Sequence, residues 1–223
     1  MIASFSRNFI FVKPRKVGGT SLEIVLSAWC ADQDICSPIS PEDEQLRRAF
    51  GGHASNYQAA DGTERFYNHM PATEIQAQLP RLWESAYKFT VERHPYEKVV
   101  SRAWWNLGRK GRLYGLSLLG SRRDRAFSAE VDRTIASRAY LNYPLYCRGE
   151  VPIVDEIWPY GELPKRLYAF AERIGAAMPE SMPQAKGGHR KDKRPAHEIL
   201  SKEQRDQIYA EARFEFELMS FER

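Results

Sequence analysis

The chain has 223 residues, with 33 Lys and Arg against 29 Asp and Glu for a formal charge of +4, and 43% of its residues are hydrophobic. This length and apolar content suit a single α/β domain over residues 1–223 with a sizeable core, and exclude a disordered or fibrous chain. No apolar run approaches the roughly 18 to 20 residues a membrane helix needs, and Cys30, Cys36 and Cys147 follow neither a disulfide framework nor a zinc spacing, so a soluble cytoplasmic protein is expected.

The first predicted element is a strand over Asn8 to Lys13 (NFIFVK), β-branched and aromatic and ended by Pro14. A Gly pair and an amphipathic run from Thr20 to Ala31 follow, which reads as strand, tight loop, helix. Pro41 to Phe50 predicts a helix capped by Ser40, set among irregular loops between residues 32 and 64. Arg65 to Asn68 reads as a short strand leading to His69, and Pro71 to Leu79 as a helix with Pro in its first turn. Ala86 to Glu92 (AYKFTVE) is a buried strand by pattern, and Pro95 opens a helix running to Gly108. Lys110 to Asp124, rich in Gly and Arg, reads as a loop or lid, with a helix over Ala129 to Leu141. Val151 to Trp158 predicts a strand and Leu163 to Gly175 a helix; residues 178–197 form a long loop, and a helix capped by Ser201 with Gln204 closes the chain near Leu218. Strands alternating with helices predict a three-layer α/β fold of P-loop-like type, a parallel sheet with helices on both faces.

Two segments point to chemistry. In FIFVKPRKVGGTSLEIVL a strand feeds a Lys, two glycines, two hydroxyls and a helix. Gly18 and Gly19 let backbone N–H groups close around an anion, the helix N-terminus adds its dipole, Thr20 and Ser21 add donors, and Lys16 reaches the anion as a point charge. The pattern is not the GxxxxGK[ST] loop of nucleoside triphosphatases, because its Lys precedes the glycines. In YKFTVERHPYEKVVSRAWW, Arg93 leaves a strand end and Ser101 lies two turns into the next helix, so both can converge at the carboxyl edge of the sheet, where open α/β folds bind ligands.

Together these segments resemble the sulfotransferases that use 3′-phosphoadenosine 5′-phosphosulfate, above all their carbohydrate and glycosaminoglycan branch. The first is similar to the family's 5′-phosphosulfate loop, PKTGGTS, with Lys16, Gly18, Gly19, Thr20 and Ser21 matching while Arg15 and Val17 depart from it. The second is similar to the 3′-phosphate motif, RNPYDRLVS, with Arg93, Pro95, Tyr96, Val100 and Ser101 matching and His94 standing where Asn or Asp is usual. VPIVDEIWPYGELPKRLYAF and the closing SKEQRDQIYAEARFEFELMSF resemble later segments of the family.

The resemblance implies in-line transfer of a sulfuryl group from the nucleotide to an acceptor hydroxyl, without a metal, with Arg15 to Ser21, Arg93 and Ser101 holding the nucleotide. Lys16 is then the electrostatic catalyst. His69, in FYNHMPATEI, is the base, with His53, Glu64 and Glu92 as alternatives. A saccharide or other hydroxyl acceptor is the expected partner. The basic stretches Arg102 to Arg125 and Lys186 to Arg194 would steer a charged acceptor, and Trp104, Trp105 and Tyr114 offer apolar faces to a sugar ring. The other readings are a P-loop-type kinase of a small metabolite and a non-catalytic relative that keeps only the nucleotide site. A nucleic-acid-binding module is a third, though no nucleic-acid-binding signature is present and no such partner is expected.

Overall fold

The computed structural model describes residues 1–56, 62–114, 121–183, 185 and 190–223. In chain order the elements are β1 (Ile2–Ser4), β2 (Phe9–Phe11), α1 (Gly19–Ala28), β3 (Ile35–Cys36), α2 (Pro41–Ala49), α3 (Ala72–Gln78) and α4 (Pro80–Ser85). There follow β4 (Tyr87–Glu92), α5 (Pro95–Tyr114), α6 (Ser121–Ala136), α7 (Tyr143–Tyr146), β5 (Cys147–Arg148), β6 (Val151–Pro152) and β7 (Glu156–Pro159). A 3₁₀ turn at Tyr160–Glu162 leads into α8 (Leu163–Arg173), and α9 (Ala196–Ile199), α10 (Lys202–Glu211) and α11 (Arg213–Met219) end the chain. Among the described residues no helix is long and apolar enough to cross a membrane. Two compact units result: Met1–Glu92 with Tyr143–Ala185, and Arg93–Asn142 with Lys186–Arg223.

The first unit is a mixed α/β structure on a five-stranded sheet of order β3-β1-β2-β4-β7. Its strands β2, β4 and β7 are parallel, but β1 runs antiparallel to both β2 and β3, which corrects the expected all-parallel sheet. The reason is local: a four-residue turn joins β1 to β2, and so short a connection can only reverse the chain. Asp34 holds that turn, its carboxylate accepting the N–H groups of Phe5 and Ser6 at 2.7 and 2.9 Å. Period-two alternation then sorts the strands' side chains. Phe9, Phe11, Phe89, Val91 and Trp158 share one core with Leu22, Val25 and Leu26 of α1 and Leu167 and Phe170 of α8. Phe89 stacks on Trp158 with ring centroids 4.1 Å apart, and Phe170 meets Phe9 edge-on at 5.2 Å. The alternate residues Ala3, Ile10 and Thr90 are fully buried too, so both faces of the sheet are covered.

Two further expectations change in this unit. Arg65 to Asn68 forms no strand: Phe66 and Met70 are buried, and the chain between them turns through His69. The strand foreseen over Val151 to Trp158 divides, because Val151–Pro152 pairs with β5 in a hairpin while Glu156–Pro159 joins the main sheet. Ser40 caps α2 as expected, accepting the Asp43 N–H.

The second unit is helical. The loop expected over Lys110 to Asp124 is helical at both ends, α5 reaching Tyr114 and α6 beginning at Ser121, while residues 115–120 lie outside the described residues. A helix-interior glycine costs only about 1 kcal/mol against alanine, less than the packing of one helix on another returns. That packing is visible where Trp104 stacks on Phe127 at 4.5 Å and the Asn106 amide donates to Glu130 at 2.8 Å. The last predicted helix is two, α10 and α11, broken at Ala212, and its foreseen Ser201/Gln204 capping box is present. Within the unit the fully buried Lys98 ammonium lies 2.5 Å from Glu215, whose other oxygen accepts the Asn142 N–H.

Candidate functional site

Val12, just past the end of β2, is still tied to β4, its N–H donating to the Phe89 carbonyl at 3.0 Å and its own carbonyl accepting the Thr90 hydroxyl at 2.8 Å. From there the chain leaves the sheet and re-enters regular structure at Gly19. Gly18, at φ +71, is the N-cap of α1, and it has no side chain with which to cap the helix. The amides of Gly19, Thr20 and Ser21 therefore have no acceptor within the helix and none from a cap, and no acid stands in the first turn. Such an end carries the positive pole of the helix and suits an anion. A Cβ on Gly18 would also lie 3.3 Å from the Tyr160 ring.

Lys16 adopts φ +61, a left-handed conformation that costs a non-glycine residue roughly 1–2 kcal/mol. His69 does the same at φ +64. The two residues that the sequence marks as electrostatic catalyst and base thus both have backbones of the strained kind that collects at functional sites.

Beneath the loop lies a buried charge network that the sequence reading missed. The Lys13 ammonium, 2% exposed, sits 2.5 Å from the fully buried Glu23 carboxylate. Arg47, also fully buried, approaches the same carboxylate at 3.9 Å and donates to the Ser37 carbonyl. Burial pushes the Glu23 carboxyl up, but Lys13 and the amino group of Met1 outweigh it and hold it at about 2. The Lys13 side chain passes directly under Gly19, where a Cβ would come within 2.9 Å of the Lys13 Cγ. One signal for this was present in the sequence: Glu23 interrupts the apolar run SLEIVL, where an acid needs a buried partner.

His69 is tied to the same place. Its Nδ1 lies 3.1 Å from the Lys13 carbonyl oxygen. A carbonyl only accepts, so Nδ1 carries the proton and Nε2 keeps its lone pair. Burial, with the positive charges of Lys13 and Arg15, lowers the imidazole to about 3, so the ring is neutral near pH 7.

Arg15 is half-buried, and burial lowers its guanidinium from the ordinary arginine value. Val17 is fully buried in the core, so a side chain at this position faces away from the loop. Ser21 accepts the Ala185 N–H at 3.2 Å. His53 faces Asp32 at 3.6 Å, and Glu64 is exposed. Glu92 is closed off as a base, being fully buried and accepting the Tyr146 hydroxyl at 2.7 Å.

Arg93 and Ser101 belong to the second unit. Glu97 binds Arg93 at 2.9 Å and Arg190 at 2.5 Å, while its other oxygen accepts the Ala196 N–H. Burial raises the Glu97 carboxyl, but these donors outweigh it and keep the group ionised and the two guanidinia fixed. His94 takes over the turn chemistry of an Asn or Asp: its Nδ1 accepts the Tyr96 N–H at 3.3 Å, and its Nε2–H donates to the Glu222 carbonyl at 2.9 Å. Ser101 is half-buried on α5. Trp104, 6% exposed and stacked on Phe127, is a core residue rather than a platform for a sugar. Trp105 lies under the Arg109 guanidinium, and the side chain of Tyr114 lies outside the described residues. Of the basic stretches, Arg122, Arg123 and Arg125 are exposed on α6, while Lys186 is outside the described residues.

No family model, no curated protein and no solved structure matches the chain.

Proposed function

We propose that the loop from Arg15 to Ser21 binds the phosphosulfate of 3′-phosphoadenosine 5′-phosphosulfate, and that the protein transfers the sulfuryl group to an acceptor hydroxyl, of a saccharide in the first instance. The observation that carries this reading is the uncapped α1 N-terminus, reached through a left-handed Lys16 and flanked by a His69 whose Nδ1–H is committed to Lys13. One unit thus offers an anion cradle, a cation and a neutral base. The resemblance to the 5′-phosphosulfate and 3′-phosphate motifs supports a doubly phosphorylated nucleotide, with Arg93 and Ser101 assigned to the 3′-phosphate.

In this reading the acceptor oxygen attacks sulfur while its proton passes to His69 Nε2. The bond from sulfur to the bridging oxygen breaks, and the electron pair stays on the departing phosphate. Lys16 and the amides of Gly19, Thr20 and Ser21 stabilise that developing charge, a contribution that preorganised donors supply without rearrangement. An anion in the loop also offsets the charges of Lys13 and Arg15, which raises His69 toward its ordinary value. The base is therefore strongest when the donor is bound.

The test is thermal stability with 3′-phosphoadenosine 5′-phosphate, against adenosine 5′-phosphate and against ATP with Mg²⁺. At about a hundred times its dissociation constant the ligand should add about 2.7 kcal/mol, or roughly 5–10 °C for a chain of this size. A shift confined to ATP with Mg²⁺ replaces the reading with a kinase, and no shift with any nucleotide removes it.

Lys16→Gly separates chemistry from fold. Glycine relieves the left-handed strain, so the variant should melt no lower than the parent, while turnover falls by about 10²–10³-fold with the loss of a charge aimed at the leaving group. Unchanged turnover in a coupled sulfate-transfer assay would take Lys16 out of the mechanism.

A further inference from the structure

We propose that the buried pair Lys13–Glu23 is a positioning device for the base, which selects the His69 tautomer by fixing the Lys13 carbonyl. This deepens the sulfotransferase reading and rests on it only for the role of His69.

Val12 is held by two hydrogen bonds to β4, whereas Lys13 lies beyond the end of β2 and precedes Pro14, which has no N–H to offer. The side chain of Lys13 restrains the orientation of its own carbonyl. That chain runs under Gly19, at the 2.9 Å approach that excludes any Cβ there, and ends 2.5 Å from Glu23, one turn further along α1. Strand end and helix are clamped at two points, Gly19 and Glu23, on one face of the helix.

Glu23 is itself immobile. It is fully buried, its other oxygen meets the Met1 nitrogen and the Ser37 hydroxyl, and Arg47 closes the far side at 3.9 Å. Its partner Lys13 thus has one position, and the carbonyl of Lys13 one direction. His69 answers to that direction: with Nδ1 3.1 Å from the oxygen, the Nδ1–H tautomer gains a hydrogen bond, while the Nε2–H tautomer would set a lone pair against the oxygen. An imidazole free of this restraint populates both tautomers, and only one of them presents Nε2 as an acceptor.

The experiment is ¹⁵N NMR of ring-labelled histidine in the full chain at neutral pH, with the His69 signals assigned by His69→Asn. The parent should show a protonated Nδ1 and a bare Nε2, and the reverse pattern or a mixture overturns the proposal. The double variant Lys13→Met/Glu23→Leu removes the pair together; it leaves the Arg47 guanidinium and the Met1 amino group without their carboxylate, so it should melt below the parent. It should fold and show a mixture of tautomers, with kcat reduced about tenfold or more and KM for the donor nearly unchanged. A folded double variant with the parent spectrum overturns the proposal. Glu23→Asp, which withdraws the carboxylate by one methylene and keeps both charges, covers a double variant that fails to fold: a mixture is again expected, and the parent spectrum again overturns it. Calorimetric titration with 3′-phosphoadenosine 5′-phosphate keeps the two claims apart. A parent that shows the Nδ1–H signature but binds no nucleotide refutes the sulfotransferase reading and leaves the positioning claim standing.

Discussion

His69→Asn is expected to lose about 10²–10⁴-fold in turnover, the range a positioned general base contributes, while nucleotide affinity stays near that of the parent. Asparagine is the informative replacement. It tolerates the left-handed backbone at φ +64, and its amide can still donate to the Lys13 carbonyl, so chemistry is removed with little disturbance of the loop. The pH profile carries a second part of the prediction. Burial and the neighbouring charges of Lys13 and Arg15 hold the imidazole at about 3 in the free protein, so kcat/KM should not rise with histidine ionisation anywhere near neutrality. The kcat limb should appear at higher pH, because the bound anion weakens the effect of those charges. Steady-state rates from pH 4 to 8 test both limbs. Turnover retained in His69→Asn would move the role of base to His53 or Glu64.

Glu23→Ala should destabilise the protein by about 3–5 kcal/mol, since it leaves the Lys13 and Arg47 charges in the interior without their shared carboxylate. For a chain of this size that is a fall in melting temperature of roughly 6–20 °C. Acid should do the same work more gradually. The folded carboxyl titrates at about 2, below its ordinary 4.5, so its contribution is complete above pH 4.5 and is lost as pH falls from there toward 2. That shift corresponds to about 3 kcal/mol. His69 acts in the same direction over a higher window: its folded value is depressed from 6.5 to about 3, so stability is full above pH 6.5 and declines below it. Chemical denaturation as a function of pH should resolve both stretches in the parent. Glu23→Ala should flatten the lower and His69→Asn the upper. A Glu23→Ala curve that still falls like the parent below pH 4.5 would show that other carboxylates drive the acid transition.

These two residues also divide what is legible in the sequence from what is not. The course from β2 through Gly18 into α1 is readable because each step is a local preference: an apolar run stopped by Pro14, a glycine where φ must be positive, an amphipathic helix. The same holds for the Ser40 and Ser201 caps and for β4 before Pro95, all written within a few neighbouring residues. Strand β1 escapes notice because it is three residues long, and its antiparallel pairing follows from a turn held by Asp34, some 28 residues away. Trp104 reads equally well as platform or core until Phe127 is placed against it.

By itself, then, the sequence determined the strand-loop-helix order, the glycines at the helix entrance, and the set of cations and histidines available for chemistry. Tertiary structure alone decided that the sheet is mixed, that Lys13 and Arg47 converge on Glu23, and that His69 turns its Nδ1 to the Lys13 carbonyl. The physical reason is separation along the chain. Backbone preferences act over a turn or a few residues, whereas a buried ion pair or the choice of an imidazole tautomer depends on a partner that only the packed core brings within 3 or 4 Å.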